Sequence, residues 1–351
     1  MEPESILKKR KTAVPAEGVS PSDGQGLVDT FGRIFNYARI AVNERCNLRC
    51  VYCMPEQGVA FRPERKLLTA EEITRVIQIL AGVGVEKIRF TGGEPLLRRD
   101  IVDLVALASG TPGIQTVSLT TNGLLFRRKG PSLFQAGLAA VNISLDTLDP
   151  DRFVAITRRP GLESVLEGLD VALELPISKV KLNMVVMRDF NHMELGEFVE
   201  LTRDRPLTVR FIELMPFDAH QIWKTGKFLG AERIVEELKA LYPDLEALSG
   251  SATETYRFTV PGFQGKIGVI PSFTRSLCGD CDRIRITADG KIRNCLYSDN
   301  EFNVRDLMRG GGSDEEVTHL FRKAMWAKVS DGWEAQRQGD HHRESMTQIG
   351  G

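Results

Sequence analysis

No stretch of the chain approaches the roughly 20 consecutive apolar residues of a membrane helix. The longest apolar run, Ile101–Ala108, is broken by Asp103, so no membrane partner is expected. A net charge of one sign is missing too. The 46 Lys and Arg nearly cancel the 47 Asp and Glu, to a formal −1, and no overall field draws nucleic acid or an acidic membrane surface. Any anion must be met by local charges. Met1–Arg10 contain Glu2 and Glu4 and no apolar block, which argues against a secretory signal and more weakly against a transit peptide, leaving a cytoplasmic location as the expectation. Cysteine is scarce: six in 351 residues are too few for a disulfide scaffold. The hydrophobic fraction, by contrast, is 42%, enough to bury the core of one large or two moderate domains.

Met1–Gln25 combine the basic run Lys8–Lys11 with Pro, Gly and Ser punctuation and read as a solvated arm. From Asn36 short apolar strands alternate with amphipathic segments. The spacing predicts strands at Tyr37–Val42, Lys87–Phe90, Thr116–Leu119, Val141–Leu145, Lys181–Val186 and Val209–Leu214. It predicts helices at Ala70–Ala81, with Thr69 as N-cap and Glu72 three residues on, and at Asp100–Ala108, Pro131–Ala136, Leu162–Leu173 and Met193–Thr202. Such alternation means a parallel sheet, which this pattern leaves free to curl into a partial barrel or to stay open and doubly wound. After Met215-Pro216 the rhythm changes: a helix at Ala231–Leu241, strands at Thr255–Val260 and Lys266–Ile270, and helices at Val304–Met308 and Asp314–Met325 read as a separate C-terminal layer.

The cysteines fall into two triplets. Cys46, Cys50 and Cys53 follow the first strand, on the side where parallel sheets bind ligands. Three thiolates hold a cubane iron–sulfur cluster with one iron open to a small molecule. A structural zinc knuckle wants a fourth ligand, and no His or further Cys lies close in sequence. Thr91-Gly92-Gly93-Glu94-Pro95 follows the second strand; its glycines let backbone approach a ligand, and its carboxylate can accept from an ammonium. Cys278, Cys281 and Cys295 repeat the count of three, with Arg283 and Arg285 on one face at period two and Asp289-Gly290 turning the chain back. A zinc ribbon completed by Asp280 or Asp282 is the alternative for this second group.

Cys-x3-Cys-x2-Cys after a first strand, followed by Gly-Gly-Glu-Pro after the second, resembles the radical S-adenosylmethionine (SAM) superfamily. The resemblance implies an α/β fold, a partial (β/α)6 TIM-like barrel, in which Tyr52, Gly93, Glu94, Ser144 and Met215 contact SAM. The second triplet, its Arg-x-Arg and a terminal Gly-Gly closely resemble the GTP-cyclising branch of that superfamily, which opens molybdenum cofactor biosynthesis; the likeness runs from about Phe31 to Gly351. It implies two 4Fe–4S clusters and a C-terminal iron–sulfur domain closing the open side of the barrel. It also implies GTP contacts at Arg39, Arg89, Thr120, Lys181, Arg283 and Arg285, and catalytic roles for Arg283, Arg285, Gly350 and Gly351. On this reading 1–30 is a disordered arm, 31–215 the core barrel, 216–335 the substrate and second-cluster domain, and 336–351 a tail. A low-potential electron donor and the downstream cyclic pyranopterin monophosphate synthase are the implied partners, and a homodimer is left open. A radical SAM peptide-modifying enzyme with an auxiliary cluster is the alternative, disfavoured because no cysteine is spare. A metal- or oxygen-sensing regulator is a third reading, but no nucleic-acid patch supports it. No general acid or base is legible.

Overall fold

Strands rich in β-branched and aliphatic residues, each followed by a helix with one apolar face, fold as a parallel sheet backed by helices. The computed structural model describes residues 26–215, 225–248, 256–274, 278–279, 281–338 and 345–349. The chain runs β1 (Tyr37–Ala41), α1 (Ala70–Gly82), β2 (Lys87–Thr91), α2 (Ile101–Gly110), β3 (Thr116–Thr121), α3 (Phe126–Gln135), β4 (Ala140–Ser144), α4 (Pro150–Thr157), α5 (Leu162–Glu174), β5 (Lys179–Val186), α6 (Leu195–Glu200) and β6 (Leu207–Glu213). It continues through α7 (Ala231–Leu241), β7 (Glu246–Ala247), β8 (Tyr256–Thr259), β9 (Lys266–Ile270), β10 (Arg283–Ile286), β11 (Lys291–Arg293), β12 (Phe302–Asn303), α8 (Val304–Arg309), α9 (Asp314–Trp326) and α10 (Gly332–Gln338).

Strands β1 to β6 lie side by side in chain order, all parallel. The C-terminal strands form no layer of their own, contrary to the expectation from the change of rhythm. β9 adds parallel to β6 and β10 adds parallel to β1, so that one sheet has the order β12-β11-β10-β1-β2-β3-β4-β5-β6-β9-β8-β7. Residues from both ends of this sheet line one cavity, so the sheet curls around it.

α1 is fixed by a reciprocal capping box of Thr69 and Glu72, and buries Ile73, Val76, Ile77 and Leu80. Several elements differ from expectation. α3 begins at Phe126, with Pro131 inside it at an exposed position where the missing N–H does not strand a buried carbonyl. Met193–Thr202 resolves into a 3-10 turn, His192–Glu194, followed by the short α6. α4 and α10 were not anticipated, although Asp149 as N-cap with Pro150 at the first position is a helix-start signature.

Burial alternates along the central strands, most regularly in β5 and β6. One set of side chains is buried against the helices; the other faces inward and includes Arg39, Arg89, Thr120, Asn142, Asn183 and Arg210. A packed barrel interior is made of branched aliphatics. This polar interior is built around space, and that space is the site.

Candidate active site

The first cysteine loop leaves the C-terminal end of β1 and is pinned from three sides. The end of α4 accepts from it, Arg49 N–H to the Thr157 carbonyl and Val51 N–H to that of Ile156, each at 2.9 Å. The turn after β2 donates to it, Gly93 N–H to Asn43 O at 3.0 Å and Glu94 N–H to Arg45 O at 2.7 Å. Gly92 has φ +150°, and a Cβ on Gly93 would lie 2.4 Å from Arg45 O, so this approach requires glycine. From the far end of the chain, Ser345 Oγ and Met346 N–H both donate to Cys53 O, at 3.0 and 3.1 Å.

Burial pushes the Cys46 thiol up to about 11 and the Cys53 thiol to about 12, and raises Cys50 well above the ordinary range. Thiols so placed become thiolates only when a cationic centre takes them. Leu48 N–H and Asn122 Nδ2 already point at Cys46 Sγ, at 3.5 and 3.8 Å. All six cysteines carry free thiols and line the same cavity, of about 380 Å³. Among the described residues, no three or more His, Cys, Asp or Glu are grouped to hold a single metal ion.

Of the expected SAM residues, Tyr52, Gly93, Ser144 and Met215 line this cavity. Tyr52 donates to Asp146 Oδ2 at 2.6 Å, while Asp146 Oδ1 accepts the Val185 N–H at 2.8 Å; burial lifts this carboxyl to about 6. Glu94 is not among the lining residues. Its carboxylate is 1% exposed and accepts from Leu96 N–H, Thr121 Oγ1 and Asn122 N–H at 2.9, 2.7 and 2.7 Å, tying the ends of β2 and β3 together. Burial still raises it to about 7 against those three donors.

The second triplet sits across the cavity. Gly332 N–H donates to Cys278 Sγ at 3.0 Å. Burial would raise the Cys281 thiol, but Lys328 and Arg283 outweigh it and bring it to about 7. Strand register sets Arg89 beside Arg39, Arg39 beside Arg285, and Arg285 beside Arg293, a row of guanidiniums across four neighbouring strands. Burial lowers Arg285 to about 9, with Arg39 and Arg283 adding to the effect. Arg39 and Arg89 both lie over the Tyr37 ring, at 5.4 and 5.5 Å from its centroid. Arg39 Nε, Thr91 Oγ1 and Asn142 Oδ1 are buried and have no hydrogen-bond partner among the described residues. Like charges set directly opposite each other destabilise a sheet; Glu301 meets Arg293 at 3.1 Å, and an anion in the cavity would ease the repulsion among the others.

Arg39, Arg89, Thr120, Arg283 and Arg285 therefore share one cavity. Lys181 does not line it but stands in register with Asn142, on the inward face that also carries Asn183 and Val185. Gly350 and Gly351 lie outside the described residues, as do Asp280 and the segment 216–224; Met346 and Thr347 line the cavity beside Cys53. Sequence reasoning did not single out Arg210, whose Nε donates to Asn183 Oδ1 at 2.8 Å, nor Lys328, Tyr297 and Trp333. The inward alternation of β6 was the available signal for Arg210; Lys328 had none.

Two family models match the chain: the radical SAM superfamily over residues 40–202 and Molybdenum Cofactor Synthesis C over 207–332. A GTP 3′,8-cyclase of Chlorobaculum tepidum is 47% identical over 325 residues, covering 93% of this chain and 97% of the relative. Molybdenum cofactor biosynthesis protein 1 of Mus musculus is 48% identical over 86% of this chain, which spans about half (48%) of that longer protein. Among solved structures, Streptococcus suis SuiB bound to S-adenosylmethionine is similar with a TM-score of 0.54 at 14% identity, over 82% of this chain and 68% of that one. A tagged form of anSMEcpe with bound AdoMet gives 0.56 at 13% identity, over 85% and 82%. These two likenesses concern the fold alone.

Proposed function

The chain belongs to the GTP 3′,8-cyclase family of the radical SAM superfamily, and from that premise we propose how its residues divide the work. It catalyses the first step of molybdenum cofactor biosynthesis, the cyclisation of GTP. Cys46, Cys50 and Cys53 hold the 4Fe–4S cluster that the superfamily uses with SAM; Cys278, Cys281 and Cys295 hold a second one. When bound, the first cluster and SAM would supply, on taking up one electron and releasing methionine, a radical able to remove the hydrogen from C3′ of GTP as 5′-deoxyadenosine, and joining C3′ to C8 of the guanine would be completed by a second electron and a proton.

The protein's own part is to bind, orient and shield. Gly93, Ser144, Met215 and the Asp146-anchored Tyr52 receive SAM near the ends of their strands. Glu94 acts on this site through backbone, by holding the β2 and β3 turns in place. Arg39, Arg89, Thr120, Lys181, Arg283 and Arg285 take the nucleotide, the guanidiniums against its triphosphate, and Gly350-Gly351 complete the site from the C-terminal end. A near-neutral chain offers a polyanion no general attraction, so the charge must be gathered locally. One observation carries the reading: both cysteine triplets and four of the arginines, Arg39, Arg89, Arg283 and Arg285, line a single cavity.

No helix among the described residues is long and apolar enough to cross a membrane. A cytoplasmic site of action, a low-potential electron donor and hand-over of the product to cyclic pyranopterin monophosphate synthase complete the proposal. Anaerobic turnover of the reconstituted protein with GTP, SAM and a strong reductant tests it. 5′-Deoxyadenosine and a cyclised nucleotide are expected in step; neither product from a fully loaded sample rejects the assignment.

A further inference from the structure

One buried charge has no part in the scheme above. Lys328 follows α9, is 4% exposed and lines the cavity. Its ammonium donates to the Asn294 carbonyl, one residue before Cys295, and lies 5.6 Å from the centroid of the Phe35 ring. Among the described residues it has no carboxylate partner, although a buried ammonium normally requires an anion.

Its placement is built from several directions. Arg33, itself buried and paired with the fully buried Asp29 at 2.5 Å, donates to the carbonyls of Val329 and Ser330 at 2.7 and 2.8 Å. The same guanidinium donates to Cys278 O at 2.8 Å. Two residues further on, Gly332 N–H reaches Cys278 Sγ, and a Cβ at Gly332 would lie 2.9 Å from the Tyr297 ring. Residues 328–332 are thus clamped to both ends of the second triplet: Lys328 at the Cys295 side, Gly332 at the Cys278 side.

We infer that Lys328 is a positioning residue for the second cluster, a fixed buried cation whose anionic partner is the cluster–thiolate assembly, and that it raises the potential at which this centre accepts an electron. This rests on the two-cluster reading above. Reduction adds negative charge to the centre, and a neighbouring cation favours the reduced form; net charge and hydrogen bonding to sulfur are the protein's usual means of setting such potentials.

The test uses the full chain carrying Cys46→Ala, Cys50→Ala and Cys53→Ala, so that any cluster present is the second. The midpoint is followed by electron paramagnetic resonance in a redox titration, with iron and sulfide counted on the same sample. Lys328→Met shifts the midpoint to more negative values at unchanged iron content, and Lys328→Arg restores it towards that of the parent. Lys328→Gln keeps a donor for Asn294 O without the charge; it follows Lys328→Met and stands in should that variant not fold. A retained cluster with an unmoved midpoint in both neutral variants overturns the inference alone. So does a loss of GTP affinity with an unmoved midpoint, which would assign the ammonium to the nucleotide. No iron in the otherwise unaltered triple-Ala chain overturns the two-cluster reading, and the inference with it.

Discussion

Arg285→Met moves stability and binding in opposite directions. Arg285 is 5% exposed, with Arg39 and Arg293 facing it from the neighbouring strands. Strands stand about 4.8 Å apart, so two such charges at an effective dielectric near 20 repel by at most about 3.5 kcal/mol. A methionine of similar length removes that repulsion together with the cost of burying a guanidinium. The cluster-free Arg285→Met chain therefore melts higher than its parent, by a few degrees. Its affinity for GTP falls by about 2–3 kcal/mol, the worth of one or two charge-assisted hydrogen bonds, or roughly 30- to 150-fold. Thermal melts with and without GTP read the first effect; calorimetric titration at low and high salt reads the second, with a shallower salt dependence in the variant. A variant that melts lower than the parent, or binds GTP within twofold of it, refutes the argument that the arginine row is held in readiness for an anion.

Three further outcomes follow from the geometry. Gly93→Ala places a Cβ 2.4–2.5 Å from the carbonyl oxygens of Arg45 and Glu44; about 1–3 kcal/mol is lost, and reconstituted iron falls at the first triplet but not at the second, checked by urea unfolding and iron analysis of the matching Cys→Ala backgrounds. Arg33→Met leaves Asp29 buried and unpaired and lowers stability by about 3–5 kcal/mol; adding Asp29→Asn recovers part of the loss, whereas no recovery in the double variant contradicts the clamp. Glu94 releases its proton near 7 when folded, against a reference value of 4.5. Its contribution is fully present below pH 4.5 and declines by about 3 kcal/mol as pH rises through 7, so Glu94→Gln shows a flatter pH 5–7 stability profile than the parent by urea titration; parallel profiles contradict the assignment.

The parallel core was legible because each strand and most helices carry their own local signal: α7 and β9 match their expected limits, and the capping box of α1 is written in Thr69 and Glu72. Sheet order beyond β6 was not, because pairing of β10 with β1 joins residues far apart in the chain, and no local pattern records it. The arginine row depends on that register. Arg39, Arg89 and Arg285 could be named singly, but their adjacency is a tertiary fact. Lys328 after α9 reads as a C-terminal helix cation; what encloses it is tertiary, its contacts with Asn294 and Phe35 and the hold of Arg33 on the two residues that follow it. Glu94 is legible in its motif as a ligand contact, but not the three donors its carboxylate meets at the ends of β2 and β3, Leu96 N–H, Thr121 Oγ1 and Asn122 N–H.

Iron and acid-labile sulfide counted per chain after anaerobic reconstitution, with spectra recorded on adding SAM and GTP separately, test the central claim most directly. Two cubanes, each with one iron not ligated by cysteine, predict about eight irons per chain, with SAM perturbing the centre held by Cys46, Cys50 and Cys53 and GTP the one held by Cys278, Cys281 and Cys295. About four irons with zinc at the second triplet, or spectra that neither ligand changes, would contradict it.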